Sequence, residues 1–167
     1  LAMLGLATAL TVAVLVFERR TFEAPYPAIQ ASRDPDVIAR GRYLAYGAAH
    51  CVDCHGDPSR RDDLAAGREV PFSGGVEFKL PVGTFRSANL TSDPVHGIGA
   101  MRDEELARSL RSGVGRHGQA LLPFMPFAEL ADDDLRAVIS YLRTLPPVAK
   151  PVQTREPNVL GHVVSAF

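Results

Sequence analysis

The stretch Cys51-Val52-Asp53-Cys54-His55 decides the fold, because it contains the only two cysteines in a chain of 167 residues. Two thiols three positions apart can bond to the two vinyl groups of one porphyrin, and the imidazole of the next residue then lies under the iron. The C-x-x-C-H spacing therefore predicts one covalently attached haem c, held by Cys51 and Cys54, with His55 as an axial iron ligand.

A zinc site and a reactive dithiol also use a close pair of cysteines. A structural zinc site needs four nitrogen or sulfur ligands, and the chain has no second cysteine pair. A thioredoxin-like dithiol belongs at a strand-to-helix junction in a βαβ unit, whereas this pair follows a predicted helix and no parallel strands are visible. The residues favour the haem over both.

Haem iron in an electron carrier usually needs a second axial ligand, and Met125 is the best-placed candidate. It lies in LLPFMPFAEL, where Pro123 and Pro126 interrupt regular backbone hydrogen bonding and can hold the thioether toward the iron. The rival candidates are one methionine and four histidines: Met101, His50, His96, His117 and His162. Met101 suits apolar packing, and His50 is too close to the covalent site to reach the other side of the haem. His96 and His117 lie in glycine-rich turns, and His162 lies in the tail.

A His/Met iron has no position left for oxygen or peroxide, so this site predicts one-electron transfer rather than catalysis. A thioether ligand and an apolar pocket both favour ferrous iron, so we expect a positive potential. The paired acids 62–63 and 132–134 suit a loop face and a helix start, not general acid–base partners. A haem enzyme or gas sensor with a labile sixth ligand is the alternative.

Three helices are predicted around this site, which gives an all-α domain with long loops. Asp34-Pro35 starts the first helix, which is expected to deliver Cys51 at its end. The second spans about 102–112 and stops at Gly113. The third lies in ADDDLRAVISYLRTLPP, with Asp132 as the expected cap and an apolar face of Leu135, Val138, Ile139 and Leu142. The stretch PFSGGVEFKLPVGTF suits a small hairpin.

The first 17 residues, LAMLGLATALTVAVLVF, contain no charge, and a helix of that length rises about 25 Å against a hydrocarbon core of about 30 Å. We interpret residues 1–17 as a transmembrane anchor, in preference to a cleavable signal peptide, because no small-x-small site precedes Glu18. Residues 18–33 then form a linker, residues 34–147 the haem domain and residues 148–167 an extended tail.

The charge balance limits the kinds of partner that this chain can bind. The chain has 18 basic and 19 acidic residues, and this net charge of −1 argues against a domain that coats nucleic acid. Lys79 and Lys150 are the only lysines, which disfavours a docking face steered by lysines. The predicted haem and anchor imply as partners redox proteins or other subunits of a membrane complex, together with the lipid bilayer.

The chain resembles a class I c-type cytochrome over residues 34–147, by the motif Cys51–His55, the Met125 loop and the last helix carrying Tyr141. That resemblance implies that the first and last helices cross with Gly41 against Tyr141. More narrowly, FSGGVEFKLPVGTFRSANLTSDPVHGIG, DEEL, GVGRHG and LLPFMPF resemble the cytochrome modules of bacterial alcohol and gluconate dehydrogenase cytochrome subunits. Those families carry three such modules and this chain carries one. The resemblance also implies that the turn at Asn89 and the side chain of Arg116 lie near the haem edge.

Covalent haem attachment takes place outside the cytoplasmic membrane, which sets the expected topology. We expect a single-pass protein of the bacterial cytoplasmic membrane, with its cytochrome domain on the periplasmic side. Its role would be that of a tethered carrier or a cytochrome subunit of a respiratory or dehydrogenase complex.

Overall fold

The computed structural model describes residues 5, 21–124 and 127–165. In these ranges the chain forms helices α1 (Pro35–Tyr46), α2 (Cys51–His55), α3 (Arg61–Ala65), α4 (Asp103–Ser112), α5 (Asp132–Leu142) and α6 (Val159–Ser165), with a short 3₁₀ turn at Pro58–Arg60. Three strands, β1 (Glu77–Leu80), β2 (Gly83–Arg86) and β3 (Arg155–Pro157), form one antiparallel sheet in the order β1-β2-β3.

The crossing of α1 and α5 organises the helices. A Cβ atom placed on Gly41 would lie 1.9 Å from the Ala137 carbonyl oxygen and 2.9 Å from the Tyr141 Cβ. The two backbones can approach this closely only because position 41 has no side chain. The predicted contact of Gly41 with Tyr141 is therefore confirmed.

The hydrophobic core includes the buried face of α5 at this crossing. The apolar face predicted for α5 is fully buried, with Leu135, Val138, Ile139 and Leu142 each at most 2% exposed. Burial of four such side chains stabilises the fold by roughly 6 to 12 kcal/mol. Phe72 packs against the rings of Tyr46 and Tyr141, with centroid separations of 5.5 and 6.0 Å, and those two rings also contact each other.

Two predicted helix ends are confirmed, the start of α1 and the end of α4. The Asp34 side chain accepts a hydrogen bond from the Asp36 N–H at 2.8 Å, which starts α1 as predicted. Gly113 ends α4 with a left-handed φ of 65°. The expected cap of α5 is wrong: Ala131 occupies the N-cap position, and Asp132 is the first helical residue, where its carboxylate pairs with Arg111.

The haem motif forms a helix of its own, so the prediction that it ends the first helix is wrong. A turn over residues 47–50 separates α1 from α2, and His50 there has a left-handed φ of 48°. Gly47 closes α1, with its N–H donating to the Tyr43 carbonyl at 2.9 Å. Cys51 consequently opens α2.

The sheet corrects the expectation of an all-α domain with an extended tail. The hairpin β1–β2 is confirmed, but the tail also supplies β3, which pairs with β2, and then turns into α6. Arg86 ties the three strands together, since its guanidinium contacts Glu77 and Glu156 at 2.8 Å each. A three-residue strand has no periodicity of its own, so β3 left no signal in the sequence.

The segment predicted to be a linker packs on the domain. Ile29 is only 3% exposed. The Ala31 N–H donates to the Asp103 carboxylate at 2.7 Å, and the Ser32 N–H donates to the Ser140 hydroxyl at 2.8 Å. The Arg108 guanidinium lies 4.3 Å from the centroid of the Tyr26 ring. Residues 21–33 are therefore part of the folded unit, and the free linker expected there is wrong.

The predicted anchor, residues 1–17, falls outside the described residues except for Gly5. Among the residues that are described, no helix has both the length and the apolar character needed to cross a membrane.

Gly41→Ala should destabilise the domain by about 3 kcal/mol, because the added methyl group meets the Ala137 carbonyl and the helices must separate. Chemical denaturation measures this loss. Gly67→Ala is the control: a Cβ at Gly67 meets no atom within 4 Å, so only its left-handed φ of 73° opposes the change, at a cost of about 1 to 2 kcal/mol. Equal losses in the two variants would contradict the close crossing.

Candidate haem site

Helix α2 places the three residues of the motif together. Residues three apart lie on the same face of a helix, so Cys51 and Cys54 project to one side. Cys51 is buried and Cys54 is half-buried, and the two are not joined in a disulfide. His55 ends the helix and is 5% exposed.

The His55 ring is held by one hydrogen bond. Its Nδ1 lies 2.7 Å from the carbonyl oxygen of Ala88. A carbonyl oxygen only accepts, so the imidazole proton is on Nδ1, and Nε2 carries a lone pair. The buried Nε2 has no hydrogen-bond partner among the described residues.

An unpartnered buried imidazole nitrogen is costly unless it binds something. Leaving such an acceptor unsatisfied costs about 1 to 3 kcal/mol, and metal coordination would remove that cost. Metal-bound histidines characteristically donate their other ring N–H to a carbonyl or carboxylate, as His55 does. Burial lowers the pKa of His55, and the hydrogen bond to Ala88 opposes this only in part. The residue is therefore a neutral imidazole, and the site fits an iron ligand.

The two thiols are not activated. Burial raises the pKa of Cys51 to about 11, and burial also raises the pKa of Cys54. Reactive dithiols depend on a lowered thiol pKa, which keeps them as thiolates at neutral pH. In the part of the chain that is described, no group of three or more His, Cys, Asp or Glu side chains converges to hold a metal ion. The raised pKa of both thiols counts against a reactive dithiol.

A loop behind the motif positions the Ala88 carbonyl. The Gly74 N–H donates to the His55 carbonyl at 2.8 Å, and the Leu90 N–H donates to the Phe72 carbonyl at 2.8 Å. A Cβ on Gly74 would lie 2.4 Å from the Ala88 carbonyl oxygen, and Gly74 has a left-handed φ of 66°. Glycine at this position therefore allows the loop to press against the acceptor of the His55 hydrogen bond.

Asn89 has a structural role that sequence reasoning missed. This side chain is 3% exposed, and its amide donates to the carbonyls of Val148 at 2.8 Å and Lys150 at 3.3 Å. It thereby fastens the tail beside Ala88. The run of small and polar residues in SANLTS indicates a turn here, but the partner carbonyls are 59 and 61 positions away. Arg116, expected near the haem edge by resemblance, lies 3.7 Å from Glu105.

Met125, the predicted sixth ligand, lies outside the described residues. Described residues on either side of it are bonded to the end of α4. The Leu121 N–H donates to the Gly113 carbonyl at 2.8 Å, and the Phe127 N–H donates to the Leu110 carbonyl at 2.6 Å.

The rival ligands are placed differently. His50, His96 and His117 are exposed, and the His50 ring contacts Asp53 at 2.9 Å. Met101 packs against the hydrophobic core, and His162 is half-buried in α6.

A neutral, buried histidine with a free Nε2, next to two unactivated thiols on one helical face, defines the site of a c-type cytochrome. The family model for cytochrome c matches residues 38–146. The chain belongs to the cytochrome c family.

Individual relatives agree with the family. The chain is 37% identical over 130 residues to the cytochrome c subunit of alcohol dehydrogenase (quinone) from Gluconobacter oxydans, covering 75% of this chain and 25% of that protein. It is 33% identical over 156 residues to the fructose dehydrogenase cytochrome subunit from Gluconobacter japonicus, covering 91% and 29%. It is 35% identical over 118 residues to the gluconate 2-dehydrogenase cytochrome c subunit from Pantoea cypripedii, covering 68% and 24%.

The chain thus spans between about a quarter and three-tenths of the length of these relatives. The resemblance expected from the sequence is confirmed at the level of the family and of these cytochrome subunits. Cytochrome c domains transfer electrons, so the prediction of an electron-transfer component rather than a catalytic subunit is also confirmed.

The Cys51→Ala/Cys54→Ala double variant should lose covalent haem, because no other cysteine is present to form a thioether. Haem staining of the denatured chain after electrophoresis, with expression alongside a cytochrome c maturation system, measures attachment. Asp53→Ala is the matched control, since Asp53 lies between the cysteines and is exposed. Stain retained by the double variant would contradict the assignment of these thiols.

Proposed function

We propose that this chain is a membrane-tethered monohaem cytochrome c with His55 and Met125 as axial ligands. It relays single electrons on the periplasmic side of the bacterial cytoplasmic membrane, as a carrier or as a cytochrome subunit of a respiratory or dehydrogenase complex. The observation that carries this proposal is the unpartnered, buried Nε2 of His55 beside the thiols of Cys51 and Cys54.

When bound, the haem supplies a one-electron Fe(III)/Fe(II) couple. Cys51 and Cys54 would hold it covalently, and His55 would present its Nε2 lone pair to the iron. The hydrogen bond from His55 Nδ1 to Ala88 fixes the orientation of the ring, which lowers the rearrangement needed when the oxidation state changes. His55 is buried, which keeps this residue largely away from water.

Met125 is proposed as the second ligand because of its loop. Two prolines flank it, and the chain on both sides is fastened to the end of α4 by backbone hydrogen bonds. A loop closed at both ends presents a side chain with less conformational freedom than an open one. A thioether opposite an imidazole favours the ferrous state.

The proposal of a dehydrogenase complex is supported by the names of three relatives, which are cytochrome subunits of alcohol, fructose and gluconate dehydrogenases. By that analogy the partner is a dehydrogenase subunit that passes electrons to the haem. Membrane attachment is supported by the 17 charge-free residues at the start of the sequence.

Purification from the native membrane in mild detergent tests the role. We expect one haem per chain, reversible one-electron reduction and a dehydrogenase subunit in stoichiometric amount. Isolation of the chain alone, with haem bound, would favour the tethered carrier. A chain isolated without covalent haem would overturn the proposed function.

Met125→Ala should leave the haem attached through Cys51 and Cys54 but lower the reduction potential and open the iron to added cyanide or azide. The ferric absorption spectrum and a cyanide titration measure this. Met101→Ala is the control, because Met101 packs against the core and should leave the spectrum unchanged. A ferric spectrum that is unaltered in Met125→Ala would sink the ligand assignment. Ready cyanide binding by the parent protein would favour a haem enzyme or gas sensor instead.

Leu10→Arg should release the chain from the membrane, because a charge at the centre of a spanning helix costs about 2.5 to 3.5 kcal/mol. Carbonate extraction of membranes, followed by detection of haem in the soluble fraction, measures retention. Thr21→Arg, outside the apolar stretch, is the control and should stay in the membrane fraction. Equal retention of both variants would argue against an anchor at residues 1–17.

A further inference from the structure

Lys150 stands apart from the other lysine of the chain. Its Nζ lies 3.0 Å from the Gly74 carbonyl oxygen, 3.4 Å from the Ser73 hydroxyl and 3.7 Å from the Asp57 carboxylate. Its side chain is 35% exposed, whereas that of Lys79 is 82% exposed. The family match ends at residue 146, so Lys150 belongs to the part of this chain that follows the matched domain.

Two paths connect Lys150 to the axial histidine. The first runs through Gly74, whose carbonyl accepts from the Lys150 ammonium and whose N–H donates to the His55 carbonyl at 2.8 Å. The second runs through Asn89, which donates to the Lys150 carbonyl at 3.3 Å and follows Ala88, the acceptor for the His55 ring. Lys150 therefore contacts both segments that are bonded to His55, one at Gly74 and the other at Asn89.

The ammonium also brings a positive charge to this side of the site. A nearby positive charge favours the state with one more electron, and a partly buried charge is less screened by salt than an exposed one. The Asp57 carboxylate offsets part of this field. Removal of the lysine would leave that carboxylate without its cation, so both changes favour the oxidised state.

We propose that Lys150 is a positioning residue that raises the reduction potential of the haem site, by holding a positive charge against the Gly74 loop behind His55. This inference rests on the proposed function, since it requires iron at His55. It assigns to the tail, which was expected only to be extended, a direct part in setting the driving force for electron transfer.

Spectroelectrochemical titration of the haem-loaded full chain tests the proposal. Lys150→Met should lower the midpoint potential at both low and high ionic strength. Lys150→Arg keeps the positive charge and should have the midpoint potential of the parent protein. Lys79→Met is the matched control, because it removes the other lysine, which pairs at 3.4 Å with Glu77 on the surface. Its potential should equal that of the parent. An unchanged potential in Lys150→Met would overturn the inference.

Asp57→Asn gives the opposite test and does not depend on the lysine variants. Asparagine keeps the acceptor that receives the Ser59 N–H at 3.0 Å, so the turn at Pro58 retains its cap. Removing the negative charge should raise the potential. A fall or no change in Asp57→Asn would overturn the inference, including when Lys150→Met yields no haem-loaded protein. A parent chain without covalent haem would instead refute the proposed function.

Discussion

The hydrogen bond from His55 Nδ1 to the Ala88 carbonyl is the contact on which the site depends. It fixes the tautomer of a buried imidazole and leaves Nε2 as a lone-pair donor with no protein partner among the described residues. The loop that supplies the carbonyl is bonded to the motif through Gly74 and to the tail through Asn89. Helices α1 and α5 position this loop, because Phe72 at its start packs against the rings of Tyr46 and Tyr141.

The elements that could be predicted from the sequence are those whose physics is local. The start of α1 shows as Asp34-Pro35, the end of α4 as Gly113, and the buried face of α5 as a repeat of apolar residues. The motif of Cys51, Cys54 and His55 identified the chemistry for the same reason, because five consecutive residues contain it. The close contact at Gly41 came from resemblance and not from the pattern of residues.

The elements that could not be predicted depend on partners distant in sequence. Strand β3 exists because β2 has an open edge, and Arg86 then links Glu77 to Glu156 across 79 positions of sequence. Ala31 and Ser32 are ordered by side chains of α4 and α5, so TFEAPYPAIQASR looked like a linker in isolation. The prediction that Asp132 caps α5 is wrong for a related reason, since Asp132 pairs with Arg111 of α4.

The packed segment before α1 has a consequence for motion. A free chain of 13 residues would let a domain move over about 20 Å. Here the Phe22 N–H donates to the Gly118 carbonyl at 2.7 Å, so the chain enters the fold beside the loop that leads toward position 125. Residues 21–33 therefore move with the cytochrome domain and not as a free chain.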